Sequence, residues 1–141
     1  MLGESRLDNL DADFAESVRL FTARLLAEGV EVAIVAGRRT MAAQNDLYQQ
    51  GRGKPGAVVT NAKGGSSPHN FGMAVDLCPV QNGNLWWNAP DDLWRRMADM
   101  GKEMGLIPGY YFKSLHDPPH YEAPDWRQTQ LAWKRGEIEI A

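Results

Sequence analysis

The sequence predicts a small single domain of the α+β class, with a mainly antiparallel central sheet flanked by helices. Three observations predict it. Amphipathic helical repeats and short strand-like segments are interleaved without the regular βαβ spacing of a parallel sheet. Fourteen glycines and eight prolines require a large share of loop. A length of 141 residues, 43% of them hydrophobic, can bury one core and is too short for two. Residues 1–7 read as a flexible N-terminus and residues 8–141 as the domain.

Phe14, Val18, Phe21 and Leu25 recur at i, i+4, i+7 and i+11, one face of a first helix. Asp13 is its expected cap, with Glu16 in the capping-box position, and Gly29 is its stop. Residues 30–36 (VEVAIVA) are rich in β-branched side chains and bounded by glycines, which predicts a buried strand. Thr40 caps a second helix that runs to about residue 50. Residues 51–72 carry six glycines and two prolines without helical period, and a loop this long inside a small domain is commonly functional or disordered. Met73, Val75 and Leu77 then alternate with Ala74, Asp76 and Cys78, a strand with one clearly apolar face. Pro90 opens a third helix along Leu93, Met97, Met100 and Met104, which Gly105 ends. A turn-rich stretch leads to a strand around residues 120–122. Asp125 and Gln128 form the capping-box pair of a final helix toward Trp133.

Charge and cysteine content narrow the function. A formal charge of −3 gives no global basic field for nucleic acid. No segment approaches the roughly 18 apolar residues of a membrane span, and the first ten residues lack the apolar stretch of a signal peptide. The expectation is a monomer made in the cytoplasm, with neither nucleic acid nor membrane as partner. Cys78, the one cysteine, excludes an intramolecular disulfide and any zinc site built on several thiolates. Burial as a small apolar side chain is its expected role.

Two of the three histidines sit in polar, turn-bounded settings near a carboxylate. His69 ends the glycine-rich loop seven residues before Asp76, and Asp117 precedes His120 by three. A catalytic zinc site takes three nitrogen or oxygen ligands and keeps one position for water, and His69, Asp76 and His120 would supply that set. Asp117 would then be free to act as a base. Bound zinc lowers the pKa of water from about 15.7 to about 7, and a nearby carboxylate can pass the released proton to a leaving amine. Pro118 and Pro119 would stiffen the link between base and ligand. Spacing alone leaves open a loop histidine and a strand aspartate that are satisfied by backbone donors.

The run Ser67-Pro68-His69-Asn70-Phe71-Gly72-Met73-Ala74-Val75-Asp76 matches the pattern Ser-x-His-x-x-Gly-x-Ala-x-Asp at every fixed position. Asp117-Pro118-Pro119-His120-Tyr121 matches Asp-x-x-His followed by an aromatic residue. In both elements the chain resembles zinc peptidases of the D-Ala-D-Ala carboxypeptidase and L-alanyl-D-glutamate endopeptidase group. Gly37-Arg38-Arg39-Thr40 with Gln44 is similar to that group's Gly-x-Arg-Ser/Thr-x-x-x-Gln segment, and residues 59–65 resemble bacteriophage endolysin endopeptidases. The resemblance runs from about residue 7 to residue 121. It implies a hedgehog/DD-peptidase-like fold, zinc held by His69, Asp76 and His120, Asp117 as catalytic base, and substrate contacts from Arg39, Ser67 and Gln44. Arg38 stands where the group often has an aromatic residue, so either arginine could face the cleft.

Bland roles compete for several of these residues. Arg39 could pair with a surface carboxylate, Ser67 could be a turn residue, and Gln44 could lie on a helix surface. Trp86 and Trp87 read as packing or rim, His116 as solvated, and Lys54 and Lys63 as solvated loop charge. The function expected is zinc-dependent hydrolysis of peptidoglycan stem peptides, cutting between L-Ala and D-Glu as an endolysin and acting on the bacterial wall after release. A D-Ala-D-Ala carboxypeptidase and a non-catalytic zinc or peptidoglycan-binding module are the alternatives. A serine hydrolase built on Ser67, His69 and Asp76 places its serine and histidine too close in one loop.

Overall fold

The computed structural model describes residues 1–141. The chain runs through α1 (Ala12–Ala27), β1 (Val32–Ala36), α2 (Met41–Gln49), β2 (Ala74–Gln81), β3 (Asn84–Leu85), α3 (Asp91–Glu103), β4 (Ile107–Pro108), β5 (His120–Glu122) and α4 (Trp126–Lys134). The sheet has the order β1-β2-β5-β4, with β3 folded back on β2, and every pairing is antiparallel. This is the α+β arrangement that the sequence predicts.

The helical stripes and the sheet meet in one core. Phe14, Val18, Phe21 and Leu25 of α1 are buried, as are Met97 and Met100 of α3, in one cluster with Ile34, Val75, Leu77 and Tyr121. The Phe21 and Tyr121 rings lie 5.0 Å apart between centroids. β2 was expected to have one apolar face. Its other face is covered too, with Ala74 and Cys78 fully buried beside Asp76. A strand with neighbours on both edges and cover on both sides is the most rigid mount the fold offers, and Asp76 sits on it.

Three local expectations change. Asp11, not Asp13, caps α1: its carboxylate accepts from Phe14 N at 3.1 Å. A tertiary bond decides between them, because Asp11 N donates to Gly72 O at 3.0 Å and fixes Asp11 outside the helix. Asp125 makes no side-chain cap to α4. That helix start is braced by buried Trp126, whose ring stacks on Phe71 at 6.1 Å. Residues 1–7, expected to be a flexible N-terminus, have a defined place. Ile34 N donates to Leu2 O at 2.9 Å and Leu7 is buried in the core, so the segment covers the outer edge of β1. The two-residue strands β3 and β4 carry too little sequence pattern to be foreseen.

Candidate metal centre

β2 and β5 pair so that Asp76 stands directly opposite His120. The ladder continues past the strand, with Leu77 N donating to Pro119 O at 2.8 Å. Two of the three predicted ligands are therefore set by one rung of a sheet. His69 arrives differently, on the 3-10 turn Pro68–Phe71 at the end of the long loop. Ser67 caps that turn: its Oγ accepts from His69 N at 3.2 Å, while Asn70 Oδ1 accepts from Ser67 N at 3.3 Å. Proline in the first turn and left-handed Gly72 at its end complete the unit. Asn70 Nδ2 donates to Arg39 O at 2.9 Å and Arg39 N to His69 O at 2.9 Å, which ties the turn to the chain between β1 and α2.

The candidate ligand atoms of His69, Asp76 and His120 all lie within 4.8 Å of one another. Asp76 Oδ1 lies 3.3 Å from His69 Nε2 and 3.5 Å from His120 Nδ1. The outward nitrogens are engaged elsewhere: His69 Nδ1 meets Gly37 O at 2.8 Å, and His120 Nε2 meets Glu122 Oε1 at 2.7 Å. Each ring thus turns its remaining nitrogen toward the carboxylate. Asp76 Oδ1 is buried and has no hydrogen-bond partner. A buried polar atom left this way is costly, and a cation shared with two imidazole nitrogens would satisfy it. Two nitrogens and an oxygen suit zinc with an open position. The residues present fit the ion.

The titration of these groups follows from the same contacts. Burial works to raise the pKa of Asp76, but the two imidazoles outweigh it and hold the carboxyl well below its usual range. Burial opposes charge on His120, yet Asp76 and Glu122 prevail and push its pKa up to about 9 in the metal-free protein. Asp117 moves the other way. Burial, followed by the nearby negative charge of Asp76, raises its pKa against the pull of the imidazoles and Arg39. Its Oδ2 lies 3.9 Å from His120 Nδ1, and half of the side chain is open to the cleft. A carboxylate of raised basicity beside a candidate metal triad is equipped to take and return a proton.

Behind Asp117, Gly109 O accepts from Asp117 N at 3.0 Å. A Cβ at Gly109 would press on the Asp117 backbone and come within 2.8 Å of the His120 Cβ, so this contact requires glycine.

The triad opens into a cleft of about 680 Å³, which Arg39, Gln44, Ser67 and Asp117 also line. The two arginines divide the work. Arg38 is spent on backbone, donating through Nε to Asn9 O at 2.8 Å and through its Nη atoms toward Asn70 O and Phe71 O. Arg39 faces the cleft and donates from Nη1 to Gln44 Oε1 at 2.9 Å. Gln44 is fully buried rather than on a helix surface, and its Nε2 donates to Ala62 O at 2.9 Å. It holds Arg39 and the loop with one amide. Ser67 is buried, and its hydroxyl is occupied by the turn that carries His69.

The remaining candidates stay outside the site. Cys78 is fully buried, with its thiol pKa pushed up by burial, and His116 Nδ1 is bonded to Tyr110 O at 2.7 Å. Trp87 stacks on Trp94, Lys54 pairs with Asp46, and Lys63 lies over the Tyr48 ring.

A family model described as D-alanyl-D-alanine carboxypeptidase matches residues 60–123, the segment that holds all three ligand candidates and Asp117. The chain is 36% identical over 104 residues to the peptidoglycan L-alanyl-D-glutamate endopeptidase CwlK of Bacillus subtilis, an alignment covering 67% of this chain and 62% of that protein. Over these residues the chain is similar to this group of peptidoglycan peptidases.

Solved structures of the group agree in fold. The L-Ala D-Glu endopeptidase ChiX of Serratia marcescens superposes with a TM-score of 0.65 at 25% identity, covering 91% of this chain and 90% of that one. A vancomycin-resistance D,D-pentapeptidase VanY, solved in complex with Zn(II), superposes with a TM-score of 0.62 at 18% identity, covering 90% and 79% of the two chains. The chain spans about 62% of the length of CwlK.

Glu122, which bonds His120 Nε2, is not among the residues that the sequence singled out. The signal was available: on a strand, residues two apart share a face, which places Glu122 beside His120.

Proposed function

We propose that the chain is a zinc-dependent peptidoglycan peptidase that hydrolyses the L-alanyl–D-glutamate bond of stem peptides. The observation that carries this reading is the buried, unpartnered Asp76 Oδ1 between two imidazole nitrogens, with Asp117 alongside. His69, Asp76 and His120 would hold zinc through Nε2, Oδ1 and Nδ1. When bound, zinc polarises a peptide carbonyl and makes water acidic enough to lose a proton near neutral pH.

The chain's own residues supply the rest. Asp117 accepts the proton of the attacking water and hands it to the amine that leaves as the peptide bond breaks. Arg39 receives a substrate carboxylate in its guanidinium fork, and Gln44 keeps that fork aimed into the cleft. Ser67 acts through His69, as the cap that fixes the ligand's backbone. Similarity to CwlK supports the endopeptidase bond. In keeping with the resemblance of residues 59–65, the protein acts as an endolysin, accumulating in the cytoplasm and reaching the wall on release.

Chromatography of digested muropeptides tests the bond. New L-alanine C-termini are the expected product. Release of terminal D-Ala alone would replace the endopeptidase with the carboxypeptidase that the family model's description favours. Asp117→Ala should keep stoichiometric zinc and lose roughly 10²–10⁴-fold in turnover. Normal wall lysis by that variant would remove Asp117 from the role of base.

A further inference from the structure

One helix face in the cleft has no part in the mechanism above. Arg127, Gln130 and Lys134 of α4 all line the cleft that holds the metal triad and Arg39. Their spacing, i, i+3 and i+7, places them on one stripe of the helix, with about 10 Å of axial rise from first to last. The middle residue builds the stripe into the fold. Gln130 is buried and its Nε2 donates to Gly65 O at 2.9 Å, locking α4 to the loop. Gly65 itself passes so close to the Trp133 ring that a Cβ there would clash, and its φ of +84° suits glycine.

The two cations flanking Gln130 are exposed and unpaired. The guanidinium of Arg127 lies 4.5 Å from the ring centre of Trp126, a buried platform that holds the group while leaving its N–H edges free. Neither Arg127 nor Lys134 makes an ion pair. Arg19, Arg24, Lys54, Arg95 and Arg96, by contrast, each meet a carboxylate. The acids of the cleft face imidazole as well, because Asp76 lies against both rings and Asp117 and Glu122 lie against His120. Charge in the cleft is therefore sorted: acids with imidazoles on the floor, Arg39 on one wall, and two free cations on the α4 wall. This sorting occurs in a chain whose net charge is −3.

We infer that the α4 stripe is a second carboxylate subsite, which makes the cleft selective for stem peptides with a free carboxylate beyond the one that Arg39 takes. The inference rests on the proposed peptidase reading and adds a discrimination to it. Peptides whose distal carboxylates are amidated lose this contact and bind less well. Exposed charge pairs are screened, so the contribution amounts to a several-fold change in KM.

The experiment uses the full zinc-loaded chain and two synthetic tripeptides. One is L-Ala-γ-D-Glu-diaminopimelate with free carboxylates, and the other is the same peptide amidated at the diaminopimelate carboxyls. Wild type should show a KM about 3- to 10-fold lower for the free acid. Arg127→Gln with Lys134→Gln should erase that preference, and rising salt should erode it in wild type. A KM ratio that is unity in wild type, or that the double variant leaves intact, overturns the subsite and leaves the proposed peptidase standing. Cleavage of neither peptide overturns the peptidase reading. The subsite is then read by calorimetric binding of the two peptides, where equal affinity overturns it. A double variant that loses activity on whole wall while keeping the free-acid preference also overturns it, since the cations would then serve an anionic wall polymer.

Discussion

The floor of the cleft and the wall beside it are built by opposite means. On the floor, Asp76 and His120 face each other across one rung of an antiparallel ladder, backed by fully buried Val75, Leu77 and Tyr121. The wall, within residues 51–67, has no ladder and hangs on polar contacts. Gln44 Nε2 holds Ala62 O, Arg52 Nη1 reaches Thr60 O at 3.0 Å, and Asn45 Oδ1 accepts from Gly64 N at 2.8 Å. A ladder in a packed core shares its load over many contacts, whereas a wall on three or four side chains depends on each of them. The floor is thus suited to fixed chemistry. The wall can be altered one residue at a time, which suits a surface that selects substrate.

That contrast can be tested from the floor outward. Glu122 holds His120 in the tautomer that frees Nδ1 and backs it with negative charge. Glu122→Ala should weaken zinc binding about 10- to 100-fold in competition with a chromophoric chelator, and Glu122→Gln should lose less because an amide oxygen still accepts the bond. Unchanged affinity in the alanine variant would mean that the ladder alone orients the ring.

Gln44→Leu probes the wall. It leaves Ala62 O and the Arg39 guanidinium without their buried partner, at a cost of about 1–3 kcal/mol in stability, read as a lower Tm. Substrate KM should rise while zinc stoichiometry stays at one. A loss of zinc alongside would show that floor and wall are a single unit.

The smallest effect is in pH. For metal-free protein, the raised His120 contributes stability that is complete below its unfolded pKa of 6.5 and fades as pH climbs through about 9. The depressed Asp76 contributes stability that is present above its unfolded value of 3.8 and is lost as pH falls toward its lowered folded pKa. The pair therefore supports the floor most fully between about 4 and 6.5. Tm of the chelated protein should decline on the alkaline side of that window. A Tm that rises from pH 6.5 to 9 would reverse the assigned direction for His120.

The parts of the molecule legible in the sequence are those where residue type and spacing act locally. The stripe of Phe14, Val18, Phe21 and Leu25 reports its own burial, and Thr40 caps α2 as its position suggests, accepting from Ala43 N at 3.1 Å. The residues that form the triad could be picked out because their order along the chain carries a pattern. What could not be read depended on partners distant in sequence. Asp11 and Asp13 are equivalent as caps until Gly72 O selects one. Arg38 and Arg39 are equivalent until the carbonyls of Asn9, Asn70 and Phe71 claim the first. Arg127 and Lys134 are ordinary helix cations until the cleft is seen to lie against that face.

The strand pairing that sets Asp76 opposite His120 also acts as a proofreading device for folding. Val75 and Leu77, the immediate neighbours of Asp76, point to the other side of β2 and are fully buried. A slip of one residue would push the carboxylate into the hydrocarbon interior and bring an aliphatic side chain to the cleft. Solvation energy then penalises the same error that would misplace the reacting groups. Selection for a stable chain thereby preserves an aligned centre, and substitutions at the cleft rim can accumulate without disturbing it.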